Sequence, residues 1–220
     1  MFLYLDSANL SDVQEISKYP SFKGVTTNPT ILSRETKERF LHLQEMRKLI
    51  EGDLFVQLVG TTFQEMKKDF ELVEQFANNN KKIIYKVPIT DVGLQIIKMI
   101  KEKDKNNKIL GTTIYTVQQA LLACFAGCDY IAPYYNRIIK NKQEDPNQMI
   151  AKTRKFIDQH NLSCRIIAAS FKSASQVEEA FLAGAHSCTL SLDIYKELVY
   201  DETVENDIQQ FEIDHQKSIG

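Results

Sequence analysis

The stretch Ile83-Ile84-Tyr85-Lys86-Val87-Pro88-Ile89-Thr90 holds one cationic side chain among apolar and β-branched residues. Such a run reads as a buried strand, and Pro88 stops its ladder because it has no N–H to donate. A lysine at the end of that strand keeps a long cationic stem beside apolar core. The placement is costly unless the charge is paired, the amine is useful in its neutral form, or the stem snorkels so that the ammonium reaches water. A neutral lysine amine is a nucleophile toward carbonyl carbon, and the chemistry it does is Schiff-base formation.

Other reactive residue types fall at comparable places. Asp6 ends FLYLD, Thr26 and Asn28 end KGVTTN, and Gln57 lies in LFVQLV. Thr112 ends KILGTT, Tyr134 lies in DYIAPYY with Arg137 just after it, and Ser170 ends RIIAAS. One polar residue at a strand end is often only a helix cap. A ring of them facing one mouth is a site. The set holds one amine, one carboxylate, amides, hydroxyls and an arginine. It contains no Ser-His-Asp arrangement.

These positions require a repeating scaffold. Short apolar runs at residues 2–6, 23–28, 54–59, 82–88, 108–113, 129–135, 165–170 and 186–191 alternate with helical stretches. Ser7 to Asn9 can cap the first helix, Thr61 and Thr62 the one running to about 78, and Thr90 or Asp91 the one running to about 103. Further helices are expected over roughly 35–51, 115–127, 146–160, 174–183 and on to about 200, with a loop after the sixth strand. Eight strand–helix units in one undivided chain predict a single (β/α)8 TIM barrel over residues 1–220, with chemistry at the C-terminal strand ends. The competing fold is a doubly wound open sheet. It normally uses fewer strands and often a G-x-G-x-x-G turn, which this chain lacks.

Composition narrows the function classes. The 220 residues are 43% hydrophobic with a formal net charge of −2, enough for a full core and without the basic bias of a nucleic-acid binder. The opening MFLYLDSANL meets an acid at Asp6 and has no basic n-region, so it does not read as a signal peptide. No run approaches the roughly 20 apolar residues of a membrane span. The expected compartment is the cytoplasm, with neither nucleic acid nor membrane as partner. Cys124, Cys128, Cys164 and Cys188 read as reduced buried thiols. His42, His160, His186 and His215 form no H-x-x-x-H or H-x-E pair, so neither metal nor other cofactor is expected.

The segments GVTTNPT (24–30), YKVPIT, LGTTIY, APYYNRI and AASFK, with the opening YLDSAN, resemble the transaldolase/fructose-6-phosphate aldolase family of class I aldolases. The segments stand in family order from Asp6 to about Asp193, and the length is that of the short branch. The resemblance implies that Lys86 is the Schiff-base lysine and that Asp6 orients substrate hydroxyls and takes part in cleavage. It implies that Thr26, Thr27 and Asn28 hydrogen-bond the donor sugar, and that Arg137 and Ser170 bind phosphate with help from Lys172. Transaldolases resemble one another in a Glu at the end of the third strand and a Phe after the proline of the sixth. Gln57 and Tyr134 here are the fructose-6-phosphate aldolase pattern. A Gln cannot carry a proton but can hold a water. The Tyr134 hydroxyl then serves as acid–base group, and Thr112 holds the same water.

The resemblance therefore implies a class I lyase of carbohydrate metabolism that interconverts fructose 6-phosphate with dihydroxyacetone and glyceraldehyde 3-phosphate. The alternative is a transaldolase passing a dihydroxyacetone unit between sugar phosphates. A non-catalytic sugar-phosphate-binding barrel is the reading from another class, and it has no use for a buried amine. Several placements stay open. Asp6 can be a cap, Gln57 can face a helix, and Lys172 can be a surface charge. Tyr135 competes with Tyr134 and Thr113 with Thr112, since strand alternation sends only one of each pair inward. Residues 203–220 read as an extra C-terminal helix with apolar Val204, Ile208, Phe211 and Ile213 on a charged background. Such a helix packs on a neighbouring subunit or shields one barrel end. The family's ring-shaped assemblies imply a homo-oligomer, a pentamer or decamer.

Overall fold

The computed structural model describes residues 2–141 and 144–219. Eight parallel strands close into a barrel in sequence order. They are β1 (Phe2–Asp6), β2 (Phe22–Thr26), β3 (Asp53–Gln57), β4 (Ile83–Pro88), β5 (Ile109–Ile114), β6 (Tyr130–Pro133), β7 (Arg165–Ala168) and β8 (Ser187–Leu190). β8 pairs back onto β1 through Phe2↔Ser187 to Leu5↔Leu190, so no edge is left open. The helices are α1 (Leu10–Ile16), α2 (Pro29–Glu35), α3 (Arg39–Leu49), α4 (Phe63–Ala77), α5 (Asp91–Lys103), α6 (Val117–Phe125), α7 (Tyr135–Asn141), α8 (Pro146–Gln159), α9 (Ala174–Leu182), α10 (Leu192–Val199) and α11 (Glu202–Ile219).

Period-2 alternation divides the strand residues between two cores. Leu54, Val56, Ile83, Tyr85 and Val87 face outward and pack under the helices. Tyr4, Phe55, Ile84, Leu110, Ala132, Tyr134, Ile167 and Ala169 face inward and fill the barrel. In the barrel interior Phe55 meets Tyr4 edge-on at 5.2 Å and Tyr130 at 5.7 Å. Edge-to-face pairs of this kind add about 1 kcal/mol each to the burial of the rings. The next inward positions toward the C-terminal ends are Asp6, Gln57, Lys86 and Thr112, which places them one layer above the apolar fill.

The helix starts follow local chemistry. Asn9 caps α1, so Asp6 is not that cap. Thr62 and Glu65 form a reciprocal capping box on α4, and Thr90 caps α5. Gly93 in the first turn of α5 lies so close to β4 that a Cβ there would stand 1.8 Å from the Pro88 carbonyl oxygen. Any side chain would therefore push α5 away from the strand that carries Lys86.

Two boundaries differ from the sequence expectation. The helix expected over 35–51 is α3, and a separate short helix, α2, precedes it. Asn28 accepts from the Ile31 N–H and Pro29 occupies the first turn, so α2 starts directly after β2. An extended Thr36, whose hydroxyl accepts from the Glu38 N–H, stops it before α3. The sixth strand, expected to run to 135 and be followed by a loop, ends at Pro133. Tyr134 makes a single bridge to Ala169, and Tyr135 already opens α7.

Candidate active site

Lys86 is 4% exposed, and its Nζ donates to the Thr27 carbonyl oxygen at 3.0 Å. The side chain does not snorkel to the surface. It reaches a cavity of about 440 Å³ at the C-terminal mouth, lined also by Asp6, Asn28, Tyr134, Arg137, Ser170 and Lys172. Seven of the residues singled out in the sequence therefore share one cavity.

The remaining ones lie just behind its wall. Thr26 is fully buried and its hydroxyl donates to Asp6 Oδ1 at 2.8 Å. That hydroxyl has one proton, so the 2.6 Å contact with Thr189 Oγ1 is made by Thr189 donating to Thr26. Burial pushes the Asp6 carboxyl above the usual aspartate range. The Lys86 charge, the Thr26 hydrogen bond and the Arg137 charge pull it partly back. A carboxylate in that state is a stronger base than a solvated one. Thr112, also fully buried, hydrogen-bonds the Tyr134 hydroxyl at 3.0 Å. Thr113 instead turns outward, with a left-handed backbone and its hydroxyl on the Thr112 carbonyl. Tyr135 is likewise on the outer face, where its hydroxyl donates to Glu179 and lies beside the Asn147 side-chain amide.

Gln57 is the ladder neighbour of Lys86 on the adjacent strand. Its Oε1 is buried and takes no hydrogen bond from the protein, so an acceptor is aimed into the interior without a protein partner. Thr27 differs from the expectation for it in what it offers. Its hydroxyl is committed to the Phe55 carbonyl at 3.0 Å, and its own carbonyl holds the lysine. Asn28 spends its Oδ1 on the α2 cap and keeps its amide N–H groups for a ligand.

Arg137 and Lys172 bring positive charge to the cavity, which the carboxylates of Asp193 and Glu197 also line. The Arg137 guanidinium lies 5.0 Å from the centre of the Tyr134 ring, a cation–π contact that fixes it without using its N–H fork. Among the described residues neither Arg137 nor Lys172 is in an ion pair. Ser170 sits beside Arg137 in a left-handed conformation (φ 67°), and its carbonyl accepts from the Asn136 N–H of α7. A non-glycine residue held there costs about 1–2 kcal/mol, strain that the surrounding contacts sustain. Two contributors were missed in the sequence. Thr189 was detectable, because alternation along HSCTLS puts Ser187 and Thr189 on one face. Arg34 at the end of α2 also lines the cavity, and only the early start of α2 puts it there.

One mouth of the closed barrel thus brings together a buried lysine amine, a carboxylate and a guanidinium that is in no ion pair among the described residues. The profile of the family described as "Transaldolase/Fructose-6-phosphate aldolase" matches residues 3–219. A protein of Streptococcus pneumoniae (strain ATCC 700669 / Spain 23F-1) named "Probable fructose-6-phosphate aldolase" is 36% identical over 217 residues, covering 97% of this chain and 96% of its own length. The chain belongs to the transaldolase/fructose-6-phosphate aldolase family, and it is an aldolase-class enzyme. No helix among the described residues is long and apolar enough to cross a membrane.

Proposed function

We propose that the protein is a class I aldolase that cleaves and forms fructose 6-phosphate through a Schiff base on Lys86. The observation that carries this reading is the Lys86 amine itself, 4% exposed at the floor of a cavity shared with Asp6 and Arg137. The Lys86 amine attacks the C2 carbonyl, and loss of water leaves an iminium. Asp6 takes the proton of the C4 hydroxyl. The C3–C4 bonding electrons flow into the iminium, giving an enamine, and glyceraldehyde 3-phosphate leaves from Arg137, Ser170 and Lys172. A water held by Gln57, Thr112 and Tyr134 delivers a proton to C3 of the enamine. Hydrolysis of the resulting iminium frees dihydroxyacetone and Lys86. The elevated Asp6 carboxyl, the Thr112–Tyr134 hydrogen bond and the unpartnered Gln57 oxygen each support the role given to them.

The test is release of glyceraldehyde 3-phosphate from fructose 6-phosphate with no acceptor aldose present, coupled to a dehydrogenase. Sustained release is expected. Release only after erythrose 4-phosphate is added would make the enzyme a transaldolase. Gln57 favours the aldolase, because an amide cannot itself relay the proton as a glutamate can.

The protein acts in the cytoplasm as a homo-oligomer, a pentamer or decamer. Four free buried cysteines fit a reducing compartment. None of the described residues of α11 is buried, and its Val204, Ile208 and Phe211 are at least half exposed, at 50%, 55% and 68%. A second subunit would cover them.

A further inference from the structure

The end of β3 lies against a gap in the barrel wall. β2 ends at Thr26, and the last contact across that edge is the Thr27 N–H on the Phe55 carbonyl. The chain then turns away as Asn28 caps α2. Further along that edge, the Gln57 C=O and the Val59 N–H have no strand to meet. A buried unpaired peptide group costs about as much as a lost hydrogen bond. Two side chains from different helices fill the gap. Arg39 Nη2, from the first residue of α3, donates to the Gln57 carbonyl at 2.8 Å. Asp69 Oδ2, from α4, accepts from the Val59 N–H at 2.9 Å. The two lock to each other through both oxygens, at 2.6 and 3.3 Å, and Asp69 is only 8% exposed. On the other edge the Leu58 N–H bonds the Lys86 carbonyl at 2.8 Å.

We infer that the Arg39–Asp69 pair is a positioning device for the reaction: it stands in for the missing strand and sets the Gln57 amide at the distance from Lys86 that proton transfer to the enamine needs. The inference rests on the role given to Gln57 above. A strand end gripped on both edges cannot shift along or out of the wall, so the amide enters the interior from a fixed Cα. Gln57 and Lys86 face each other across one ladder step, and a displacement of about 1 Å at such a site costs up to 100-fold in rate. The pair touches no substrate. Its effect should fall on the step that uses the Gln57-held water and on no earlier one.

Dihydroxyacetone in deuterium oxide isolates that step. Borohydride trapping reports Schiff-base formation alone. Exchange of a hydroxymethyl proton for deuterium, followed by NMR, reports formation and protonation of the enamine, and neither readout needs phosphate binding or C–C cleavage. Asp69→Asn removes the charge and keeps an acceptor. Arg39→Lys keeps the charge and loses the fork. Both variants should trap the adduct like the parent and lose exchange by about 10- to 100-fold. In Gln57→Ala the exchange should be lost as well, and adding Asp69→Asn to it should cost nothing more, because the pair acts only through Gln57. Exchange within about threefold of the parent in folded Asp69→Asn and Arg39→Lys would overturn the inference. So would an equal loss of trapping and exchange, a full additional loss in the double variant, or failure of both single variants to fold. Normal exchange in Gln57→Ala would sink the role of Gln57 first, and the clamp with it.

Discussion

Tyr134→Phe removes one oxygen atom and little else. The ring is 7% exposed, lies edge-on to Tyr115 at 5.9 Å and carries the Arg137 guanidinium at 5.0 Å, and a phenyl ring keeps all of this. The loss is the 3.0 Å hydrogen bond to Thr112, whose hydroxyl is fully buried and is left without that partner. A buried hydrogen bond contributes about 1 kcal/mol and an orphaned hydroxyl costs about 1–3, so the variant should be about 1–2 kcal/mol less stable. In a chain of this length that lowers Tm by on the order of 2–8 °C and leaves the protein folded at 25 °C. The catalytic effect should be far larger. If the hydroxyl is the acid–base group beside the Gln57-held water, removing it costs about 10²- to 10⁴-fold in kcat. The adduct trapped on Lys86 should remain, because Schiff-base formation precedes that step. The assay is acceptor-free release of glyceraldehyde 3-phosphate, run beside borohydride trapping and a thermal melt. A folded variant that turns over within about threefold of the parent would refute the assignment, and the proton would have to come from another group.

Three further outcomes follow from the same geometry. Arg137→Ala should raise KM for fructose 6-phosphate by about 10- to 100-fold, the worth of charge-assisted bonds to phosphate, and should affect exchange of unphosphorylated dihydroxyacetone much less; equal losses would remove phosphate from its role. His186 accepts the Ile166 N–H of β7 on Nδ1, and burial, then the Arg154 and Arg165 charges, lower its pKa to about 4 from 6.5. The stability its neutral ring contributes is therefore present above about pH 6.5 and lost as pH falls through about 4, so urea midpoints should drop over that window and drop less in His186→Asn, whose amide oxygen still accepts that N–H. Deleting residues 203–220 should lower the oligomeric state measured by sedimentation, and an unchanged number of subunits per particle would show that the exposed face of α11 joins no subunits.

Much of the barrel was legible because two periodicities agree. Apolar β-branched runs marked the strands, and Thr62 and Thr90 marked helix starts by the cap chemistry they then showed. Lys86 stood out because an ammonium in such a run has few physical excuses. The choices between Tyr134 and Tyr135, and between Thr112 and Thr113, needed the barrel interior, since alternation alone says that one of each pair turns inward but not which. The short helices were obscured by their neighbours. α2 begins where TTN still reads as strand, although Asn28 followed by Pro29 is itself a helix start. α7 begins inside YYNRI, which continues a β-rich run until Pro133 breaks the ladder. The Arg39–Asp69 pair was not legible at all. Its partners are 30 residues apart on two charged helix faces, where a solvated surface is the ordinary reading.

The central claim is the Schiff base on Lys86, and mass spectrometry after borohydride reduction tests it most directly. The protein is incubated with fructose 6-phosphate or dihydroxyacetone, reduced, digested and mapped. The account predicts one reduced three-carbon adduct per chain, on the peptide containing Lys86, dependent on substrate and absent from Lys86→Met. No adduct on the parent protein, or an adduct that survives in Lys86→Met, would contradict it.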